Sequence, residues 1–549
     1  MKKVLLGNEA VVQGTLDAGV DFVSGYPGCP SAEIGDEFGR IARESGVYAE
    51  WSVNEKVGLE AAIGASFSGL KTLVNMKSFG INVCSDSLFP LAYTGTKAPM
   101  VIFVGDDPSC HSSAQSEQDS RGYAYLSKIP VLDPSSPQEC YDFTKLGFEI
   151  SEKFKVPVIL RSTTRVAHQR APVEFEGLNR KSASPKLGNF VKNPHQFCTM
   201  PPRVMEMKEE LLEKLKKISA YAEKSKINKI DGGKISSPVG IIATGISYLY
   251  AKEAMEMMGL DLPILKLGFF CPLPEKLIGS FIKGKKKILV AEELDPYLEK
   301  EIKRISKDAN PKTEIFGKNV LPEIGELDVE KVVLALAKLT GKKAPAFKKL
   351  SAGVAIPRRT ARLCEGCPYW NILPTIKKVA PEGTIFGGDI GCNMIAGLAP
   401  HNIQDYLFSM GASMGISHGV SKATKQKIIS IIGDGTFFHS GIPGLINAVY
   451  NKSNPLIVVL DNRITAMTGH QPNPGMGKTL MGDVVEELKI EEIARACGVK
   501  NIKVLDPVTA PELETAIKEF LPKEEVSIII CKRICALLER RLKREKENG

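Results

Sequence analysis

Short apolar runs alternate with helix-like stretches along most of this chain, and that pattern predicts α/β layers with largely parallel sheets. The first predicted unit covers residues 1–165, with strands at residues 21–26, 47–51, 72–75, 100–104 and 156–160. A second unit covers residues 237–340, with strands at residues 239–244, 264–267 and 288–291. A third unit covers residues 360–549. The length of 549 residues agrees with several domains, because one hydrophobic core does not grow to that size.

Two stretches interrupt this alternation. Residues 166–236 contain prolines, scattered polar residues and a charged helix-like run at residues 204–226, so we interpret them as a connecting segment. Residues 341–359 are basic, contain proline and glycine, and have no periodicity, so we predict a linker there.

The most informative stretch is residues 428–462, where two uninterrupted apolar runs flank a helix-like stretch. The first run ends in Gly433-Asp434-Gly435 and the second in Asp461-Asn462. A strand–helix–strand unit crosses over right-handedly, so both strands end at the same sheet edge and Asp434 should lie near Asn462. Carboxylate and amide oxygens suit a Mg²⁺ ion that also binds a diphosphate, and glycine lets the backbone approach that anion.

Composition excludes several functional classes. Hydrophobic content of 43% and charge of 25% are typical of a soluble globular protein. The N-terminus lacks the pattern of a secretory signal, and no run approaches the ~20 apolar residues of a membrane span. The net charge of +9 comes from scattered lysines and a basic tail without an organised face, so we expect no nucleic-acid partner. Twelve cysteines are too few for a disulfide scaffold, and we expect a cytoplasmic protein with some metal-binding cysteines.

The GDG and DN motifs at this spacing resemble the diphosphate-binding motif of thiamine diphosphate enzymes. GDG alone is usually an ordinary strand-end turn, but the complete strand–GDG–helix–strand–DN assembly argues against that reading. The resemblance implies Mg²⁺ ligands at Asp434, Asn462 and the carbonyl of Ile464, with Gly433 and Gly435 beside the diphosphate. It also implies two doubly wound α/β domains, for the pyrimidine and diphosphate ends of the cofactor, flanking a smaller transketolase C-terminal-like α/β domain.

Residues 25–31 and 52–56 resemble the N-terminal domain of 2-oxoacid:ferredoxin oxidoreductases. The chain as a whole is similar to the large subunit of the indolepyruvate:ferredoxin oxidoreductase family. The supporting stretches are residues 51–56, 75–77, 105–109, 116–121, 388–392, 437–444 and 465–472. The resemblance implies that Glu55 contacts the aminopyrimidine ring, although a capping glutamate at a helix start is a common alternative. Cys29 stands where the family usually has threonine, so a substrate-binding role there departs from the family pattern.

The resemblance also implies a reaction and its partners. A 2-oxoacid, coenzyme A and oxidised ferredoxin would give an acyl-CoA, CO₂ and reduced ferredoxin, most often from an aryl pyruvate such as indolepyruvate. A small second subunit and a dimer of heterodimers are implied as well. His439 and His470 are candidates for proton transfer or diphosphate binding, and Arg121 for binding the substrate carboxylate, with a structural hydrogen bond as the alternative for each. The rivals are a non-oxidative decarboxylase, an oxidoreductase for a non-aromatic 2-oxoacid, and a non-catalytic scaffold.

Four cysteines complete the candidate chemistry. Cys364 and Cys367 form a CxxC pair, Cys392 follows the predicted strand at residues 385–389, and Cys535 lies near the end of the sequence. The resemblance implies that they hold one [4Fe–4S] cluster beside the cofactor, with zinc or buried structural thiols as alternatives. The tandem CxxCxxCxxxCP runs of the family's ferredoxin-like domain are absent from this sequence. We therefore expect the electrons to leave through a separate iron–sulfur protein.

Overall fold

A computed structural model describes residues 1–177, 184–347, 361–507 and 510–548 of the chain. The chain divides into two compact units, residues 1–351 and 352–549. Among the described residues, no helix combines the length and apolar character that crossing a bilayer requires.

The first unit contains three sheets. Its strands are β1 (Lys2–Leu6), β2 (Phe22–Gly25), β3 (Tyr48–Ala49), β4 (Thr72–Lys77), β5 (Met100–Asp106), β6 (Val131–Leu132), β7 (Val158–Thr163), β8 (Arg170–Glu174), β9 (Lys229–Asp231), β10 (Val239–Thr244), β11 (Ile264–Leu267), β12 (Phe269–Cys271), β13 (Lys287–Ala291) and β14 (Glu314–Phe316). The strand order is β12-β6-β7-β5-β4-β2-β3 in a 7-stranded sheet and β14-β13-β10-β11-β9 in a 5-stranded sheet, while β1 pairs with β8. Only the edge pairs β12–β6 and β11–β9 are antiparallel in the two larger sheets.

Helices connect these strands, as parallel pairing requires. They are α1 (Gly7–Asp17), α2 (Ala32–Ser45), α3 (Glu55–Phe67), α4 (Ser78–Thr94), α5 (Gly122–Ser127), α6 (Pro137–Phe154), α7 (Thr164–His168), α8 (Pro194–Phe197), α9 (Arg203–Ala222), α10 (Ser247–Met258), α11 (Glu275–Ile282), α12 (Tyr297–Ala309) and α13 (Val329–Thr340). Side-chain caps begin several of them: Asn54 accepts a hydrogen bond from the amide of Val57 at α3, and Asp328 accepts one from Lys331 at α13.

The second unit has one fully parallel sheet with the order β15-β16-β17-β19-β18. Its strands are β15 (Ile385–Gly387), β16 (Ile428–Gly433), β17 (Leu456–Asp461), β18 (Asn501–Leu505) and β19 (Ser527–Lys532). Its helices are α14 (Tyr369–Val379), α15 (Ala412–Ala423), α16 (Asp434–Thr436), α17 (Ile442–Tyr450), α18 (Ile490–Ala496), α19 (Ala510–Phe520) and α20 (Ala536–Asn548). A π-helical turn, Phe437–Gly441, joins α16 to α17.

Both faces of this sheet are buried. Along β17, Val458 packs in one hydrophobic cluster with α14 and α19, and its neighbours Ile457 and Val459 pack in a second cluster with α17 and α18. Side chains of a strand alternate between faces, so an uninterrupted apolar strand needs helices on both sides. The predicted α/β class, with doubly wound parallel sheets, is confirmed.

The connecting segment predicted at residues 166–236 contributes to the sheets. Its strand β8 pairs with β1, and its strand β9 extends the 5-stranded sheet beside β11. Leu211 of α9 is buried in a hydrophobic cluster that also includes residues of β4, β5, β10 and β13. This part of the chain lacks sequence alternation because its strands are short and lie at sheet edges, where one side faces solvent. Most of the predicted linker, residues 348–359, lies outside the described residues.

Candidate active site

The carboxyl ends of β16 and β17 carry the metal-ligand candidates of the second unit. Gly433 pairs in register with Leu460, so Asp434 and Asn462 both lie just beyond the same edge of the sheet. Asp434 is the first residue of α16, and both side chains are buried. The structure therefore brings together the two residues that the sequence motif predicts.

Asp434 is an acid in an unfavourable setting. Its Oδ2 accepts a hydrogen bond of 2.9 Å from Nδ2 of Asn473. Burial and the neighbouring Asp461 carboxylate nevertheless raise the pKa of Asp434 to about 7. A bound cation would remove this penalty, so the donor set fits Mg²⁺.

Asn462 is held in one orientation by its neighbours. Its Oδ1 accepts a hydrogen bond of 3.1 Å from the amide of Ile464, and its Nδ2 donates one of 3.0 Å to the hydroxyl of Tyr369. These contacts fix which end of the amide carries the oxygen, and Ile464 itself is buried beside it. In α16, Gly435 has little room for a side chain, since a Cβ there would lie 3.1 Å from Oγ1 of Thr465.

His439 lies in the π-helical turn, where it is buried and its Nδ1 is 2.6 Å from Oγ of Ser440. The turn packs closely on Gly411, whose φ is +80°, and a Cβ there would lie 2.7 Å from the carbonyl carbon of Ser440. Glycine is required at position 411 for both reasons. The structure therefore places His439 near the carboxyl end of β16, while its role as a proton-transfer group remains a prediction.

Asp389 is an acid at this edge to which the sequence pattern assigned no role. It accepts hydrogen bonds from the amides of Gly411 and Ser413 at 3.0 and 3.2 Å, at the start of α15. Burial raises the pKa of Asp389 to about 7. Its position two residues after β15 is the signal that could have identified it, because acids at the carboxyl ends of parallel strands face ligands.

The four candidate cluster cysteines are electrostatic neighbours. Burial raises the pKa of Cys367 to about 11 and that of Cys392 to about 12, and the negative charge of the other thiolates adds to both shifts. Cys364 is exposed, and the other three are partly buried. Within the described residues, no three His, Cys, Asp or Glu side chains form a group with the spacing of a metal-ion site. The cysteines therefore interact electrostatically, and their role as cluster ligands remains a prediction.

Cys535 differs from the other three. Its Sγ lies 3.7 Å from Nε2 of His470, and it precedes α20 directly. Burial opposes ionisation, but the hydrogen bond with His470 and the amides of Leu537 and Leu538 outweigh it and lower the pKa of Cys535. His470 thus contacts a candidate cluster ligand, and its role in proton transfer or diphosphate binding remains a prediction.

In the first unit, Glu55 begins α3 and is buried. It packs against Gly80 in the first turn of α4, where a Cβ would lie 2.6 Å from Cγ of Glu55. The side chain is therefore confined between two helices. Asn54 caps α3, so the capping function that competed with a catalytic role for Glu55 belongs to the preceding residue.

Cys29 lies in the turn that follows β2, at the carboxyl edge of the 7-stranded sheet. Burial and the carboxylate of Glu33 raise the pKa of Cys29, while the ammonium group of Lys77 opposes that shift. The thiol therefore favours its neutral form. Its predicted contact with substrate remains a prediction.

Arg121 is fully buried and committed to internal partners. Its Nε and Nη2 donate to Asp119, and its Nη1 donates to Glu292 at 2.7 Å. Nη2 also donates to the carbonyls of Glu293 and Asp295. These contacts correct the substrate-binding prediction for Arg121 in favour of its alternative, a structural hydrogen-bonding role. Glu292 lies 171 residues away along the chain, so no local sequence signal could reveal the pair.

Comparison with known proteins agrees with this geometry. A family model described as pyruvate flavodoxin/ferredoxin oxidoreductase, thiamine diP-bdg, matches residues 13–224. A second, described as thiamine pyrophosphate enzyme, C-terminal TPP binding domain, matches residues 389–531. Indolepyruvate oxidoreductase subunit IorA of Methanothermobacter thermautotrophicus is 43% identical over 544 residues, which cover 98% of this chain and 87% of that protein. The chain belongs to the indolepyruvate oxidoreductase subunit IorA family.

Other relatives lead to the same family. The IorA subunit of Pyrococcus horikoshii is 42% identical over 561 residues, covering 98% of this chain and 86% of its own length. Among solved structures, a 2-oxoglutarate:ferredoxin oxidoreductase from Magnetococcus marinus has a similar fold. Its TM-score is 0.50 at 18% identity, over 61% of this chain and 65% of that one. As a member of the IorA family, the chain is a subunit of a thiamine diphosphate-dependent 2-oxoacid oxidoreductase.

Proposed function

We propose that this chain is the catalytic subunit for oxidative decarboxylation of aryl 2-oxoacids of the indolepyruvate type. The products are an acyl-CoA and CO₂, and the electrons pass through one [4Fe–4S] cluster to ferredoxin or another iron–sulfur protein. One observation carries the proposal: the amide of Cys535 donates a hydrogen bond of 3.1 Å to the carbonyl of Asn462. A candidate cluster ligand is thereby tied directly to a candidate ligand of the cofactor metal.

Asp434, Asn462 and the carbonyl of Ile464 would hold the Mg²⁺ ion, and with it the diphosphate. The buried, destabilised carboxylate of Asp434 and the oriented amide of Asn462 support this assignment. Gly433 and Gly435 would let the backbone approach the diphosphate oxygens. Metal and cofactor affinity should therefore depend on one another.

Cys364, Cys367, Cys392 and Cys535 would hold the cluster. The pKa values of Cys367 and Cys392 are raised by burial and by the charges of neighbouring cysteines, and a positively charged centre would let these two thiols ionise together. A single zinc ion has bonds of about 2.3 Å to sulfur and needs its ligands tightly grouped. The iron content of the protein therefore distinguishes the cluster from zinc.

Thiamine diphosphate supplies the carbanion chemistry by which a 2-oxoacid loses CO₂. Glu55 would hold a proton at the aminopyrimidine ring, because its carboxylate is confined beside Gly80 and relieved of capping. His439 would assist a proton transfer near the diphosphate end. The burial of both side chains keeps bulk water away from these steps.

We propose a small oxidoreductase subunit as the obligatory partner, with a dimer of such heterodimers as the complete enzyme. Coenzyme A would accept the acyl group. The family name of its relatives, an oxidoreductase subunit, supports a second subunit. The basic segment Arg540–Lys546 of α20 is a candidate contact for an acidic electron carrier, because oppositely charged surfaces accelerate encounter.

The test is an anaerobic panel of aryl, branched-chain and short 2-oxoacids, assayed with the small subunit, coenzyme A and a low-potential dye. We expect dye reduction to require thiamine diphosphate, Mg²⁺ and coenzyme A, and to be fastest with aryl substrates. Release of an aldehyde without dye reduction would instead indicate a non-oxidative decarboxylase. Preference for a non-aromatic acid would retain the reaction and reject the substrate class.

A further inference from the structure

Lys77 is a cation at the same sheet edge as Cys29. It is the last residue of β4 and the N-cap of α4. Its register partner on β5 is Gly105, while the end of β2 lies on the other side of β4. The side chain therefore leaves the sheet between the turn after β2 and the loop after β5, where parallel α/β sheets bind ligands.

The stem of Lys77 is held in one direction by close packing. A Cβ on Gly28 would lie 2.8 Å from its Cγ and 2.9 Å from its Cδ, so the glycine makes room for the lysine chain. The ammonium group lies 4.8 Å from the ring centre of Phe79, within the range of a cation–π contact. A lysine confined in this way loses little additional freedom when it binds a ligand.

The ammonium group has neutral hydrogen-bond partners. Nζ donates to Oγ of Ser113 at 3.1 Å and to the carbonyl of Ser112 at 3.4 Å. Asp107 is the strongest attractive charge nearby, but its own carboxylate accepts hydrogen bonds from the amide of Ser112 and the hydroxyl of Thr164. Among the described residues, Lys77 forms no ion pair with a carboxylate.

A partly buried cation without an ion-pair partner is costly, and binding an anion relieves that cost. Burial lowers the pKa of Lys77, although Asp107, Cys29 and Glu55 act in the opposite direction. The stem of Lys77 packs on Gly28, the neighbour of Cys29, and the ammonium group is close enough to Glu55 to interact with its charge. An anion bound there would lie next to the residue proposed for the cofactor ring.

We propose that Lys77 binds the carboxylate of the 2-oxoacid substrate. The inference rests on the proposed function, and it names the residue that recognises the one charged group common to all 2-oxoacids. Arg121 cannot provide this contact, because its guanidinium is buried among Asp119, Glu292 and backbone carbonyls. Lys77 would anchor the carboxylate, and the side chains around it would select the acyl group.

The test uses the complete enzyme with its small subunit, thiamine diphosphate and Mg²⁺. Two unreactive probes of the same shape are titrated: 3-phenylpropanoate, which has a carboxylate, and the neutral 3-phenylpropanamide. We expect Lys77→Met to weaken binding of 3-phenylpropanoate about 10- to 100-fold, the usual effect of losing a hydrogen bond to a charged group. Binding of the amide should change by less than about threefold, because it lacks the charge. Lys77→Arg should restore most of the carboxylate affinity.

Lys216→Met is the matched control, because Lys216 is an exposed lysine of α9 and should leave both probes unchanged. Thiamine diphosphate affinity and thermal unfolding of each variant report whether the fold is retained. The proposal would be overturned if Lys77→Met weakened the binding of both probes equally, or if the wild-type enzyme did not bind 3-phenylpropanoate.

A rise in the KM for coenzyme A alone would assign Lys77 to a phosphate of that substrate and would also overturn the proposal. If no 2-oxoacid supports dye reduction but binding of 3-phenylpropanoate still depends on Lys77, the carboxylate site is supported and the proposed reaction is rejected.

Discussion

Asn473 donates a hydrogen bond of 2.9 Å to Oδ2 of the buried Asp434, whose carboxyl group also interacts with the charge of Asp461. Lys532 and Arg463 partly offset the charge of Asp461, but burial still raises the pKa of both carboxyl groups. The arrangement is unfavourable for the protein alone, and a divalent cation bound at Asp434 would offset that cost.

The first prediction is that Asp434→Asn abolishes the stabilisation by Mg²⁺ and thiamine diphosphate while leaving the ligand-free protein at least as stable as the wild type. Asparagine retains an acceptor for Asn473 but removes the buried charge. Thermal unfolding with and without the ligands measures both effects. Asp506→Asn, an exposed carboxylate that pairs with Arg533, is the control and should keep the ligand response. A normal ligand response in Asp434→Asn would reject the metal assignment.

The second prediction is that Glu55→Gln binds thiamine diphosphate normally but turns over about 10²–10⁴ times more slowly, as expected for loss of a positioned acid–base group. Glutamine fills the same space beside Gly80 but cannot share a proton in the same way. Steady-state kinetics and a cofactor titration separate the two effects. Glu60→Gln is the control, because Glu60 lies on the same helix in an exposed pair with Lys56. Near-normal kcat in Glu55→Gln would assign the role to another residue.

The third prediction concerns iron. Anaerobically prepared protein should contain about four irons per chain, the content of one [4Fe–4S] cluster. Cys367→Ser should lose that iron and retain thiamine diphosphate binding, because the diphosphate site uses oxygen ligands. Cys198→Ser is the control, since Cys198 is an exposed thiol of the first unit. Stoichiometric zinc without iron would favour the alternative function, a non-oxidative decarboxylase.

Much of this architecture follows from local sequence pattern. The strands at residues 239–244 and 264–267 were predicted with their observed bounds, because buried parallel strands are short, apolar and uninterrupted. The proximity of Asp434 and Asn462 also followed from the sequence, since the handedness of a strand–helix–strand unit fixes where both strands end. These features depend on neighbours in the sequence.

Other features depend on distant contacts and could not be predicted. The pairing of β1 with β8 joins residues more than 160 positions apart, and neither strand has a strong apolar pattern. Arg121 lies two residues after Asp119 in a polar stretch, and a substrate-binding arginine would have the same kind of sequence context. Only its partner Glu292 from β13's following loop shows that the guanidinium is enclosed. In the sequence, Lys77 is distinguished only by its place in the family stretch at residues 75–77, because the absence of an ion-pair partner among the described residues depends on the folded chain.

The fourth prediction is that Arg121→Gln lowers the free energy of unfolding by about 3–5 kcal/mol, because it leaves buried carboxylates without their cation. Chemical denaturation measures this loss. Arg165→Gln removes an exposed ion pair with Glu326 and should cost less than about 1 kcal/mol. Normal stability of Arg121→Gln together with a raised KM for the 2-oxoacid would restore the substrate-binding role.

The last prediction is that the first unit loses stability as pH rises from about 4.5 to about 7, through the buried carboxyl of Glu293. Its Oε1 accepts a hydrogen bond of 3.0 Å from the amide of Leu327, yet burial raises the pKa of Glu293 to about 7. The folded state therefore holds the proton more tightly than the unfolded state does. Its contribution is complete below the unfolded pKa of about 4.3, declines as pH rises, and is lost above the folded pKa. Glu293→Gln keeps an acceptor for Leu327 and should be more stable than the wild type at pH 8, by about 4 kcal/mol at most. The exposed substitution Glu323→Gln should leave the pH profile unchanged. Denaturation midpoints of the three proteins at pH values from about 5 to about 8, the range around the folded pKa, test this prediction. Parallel pH profiles for Glu293→Gln and the wild type would contradict it.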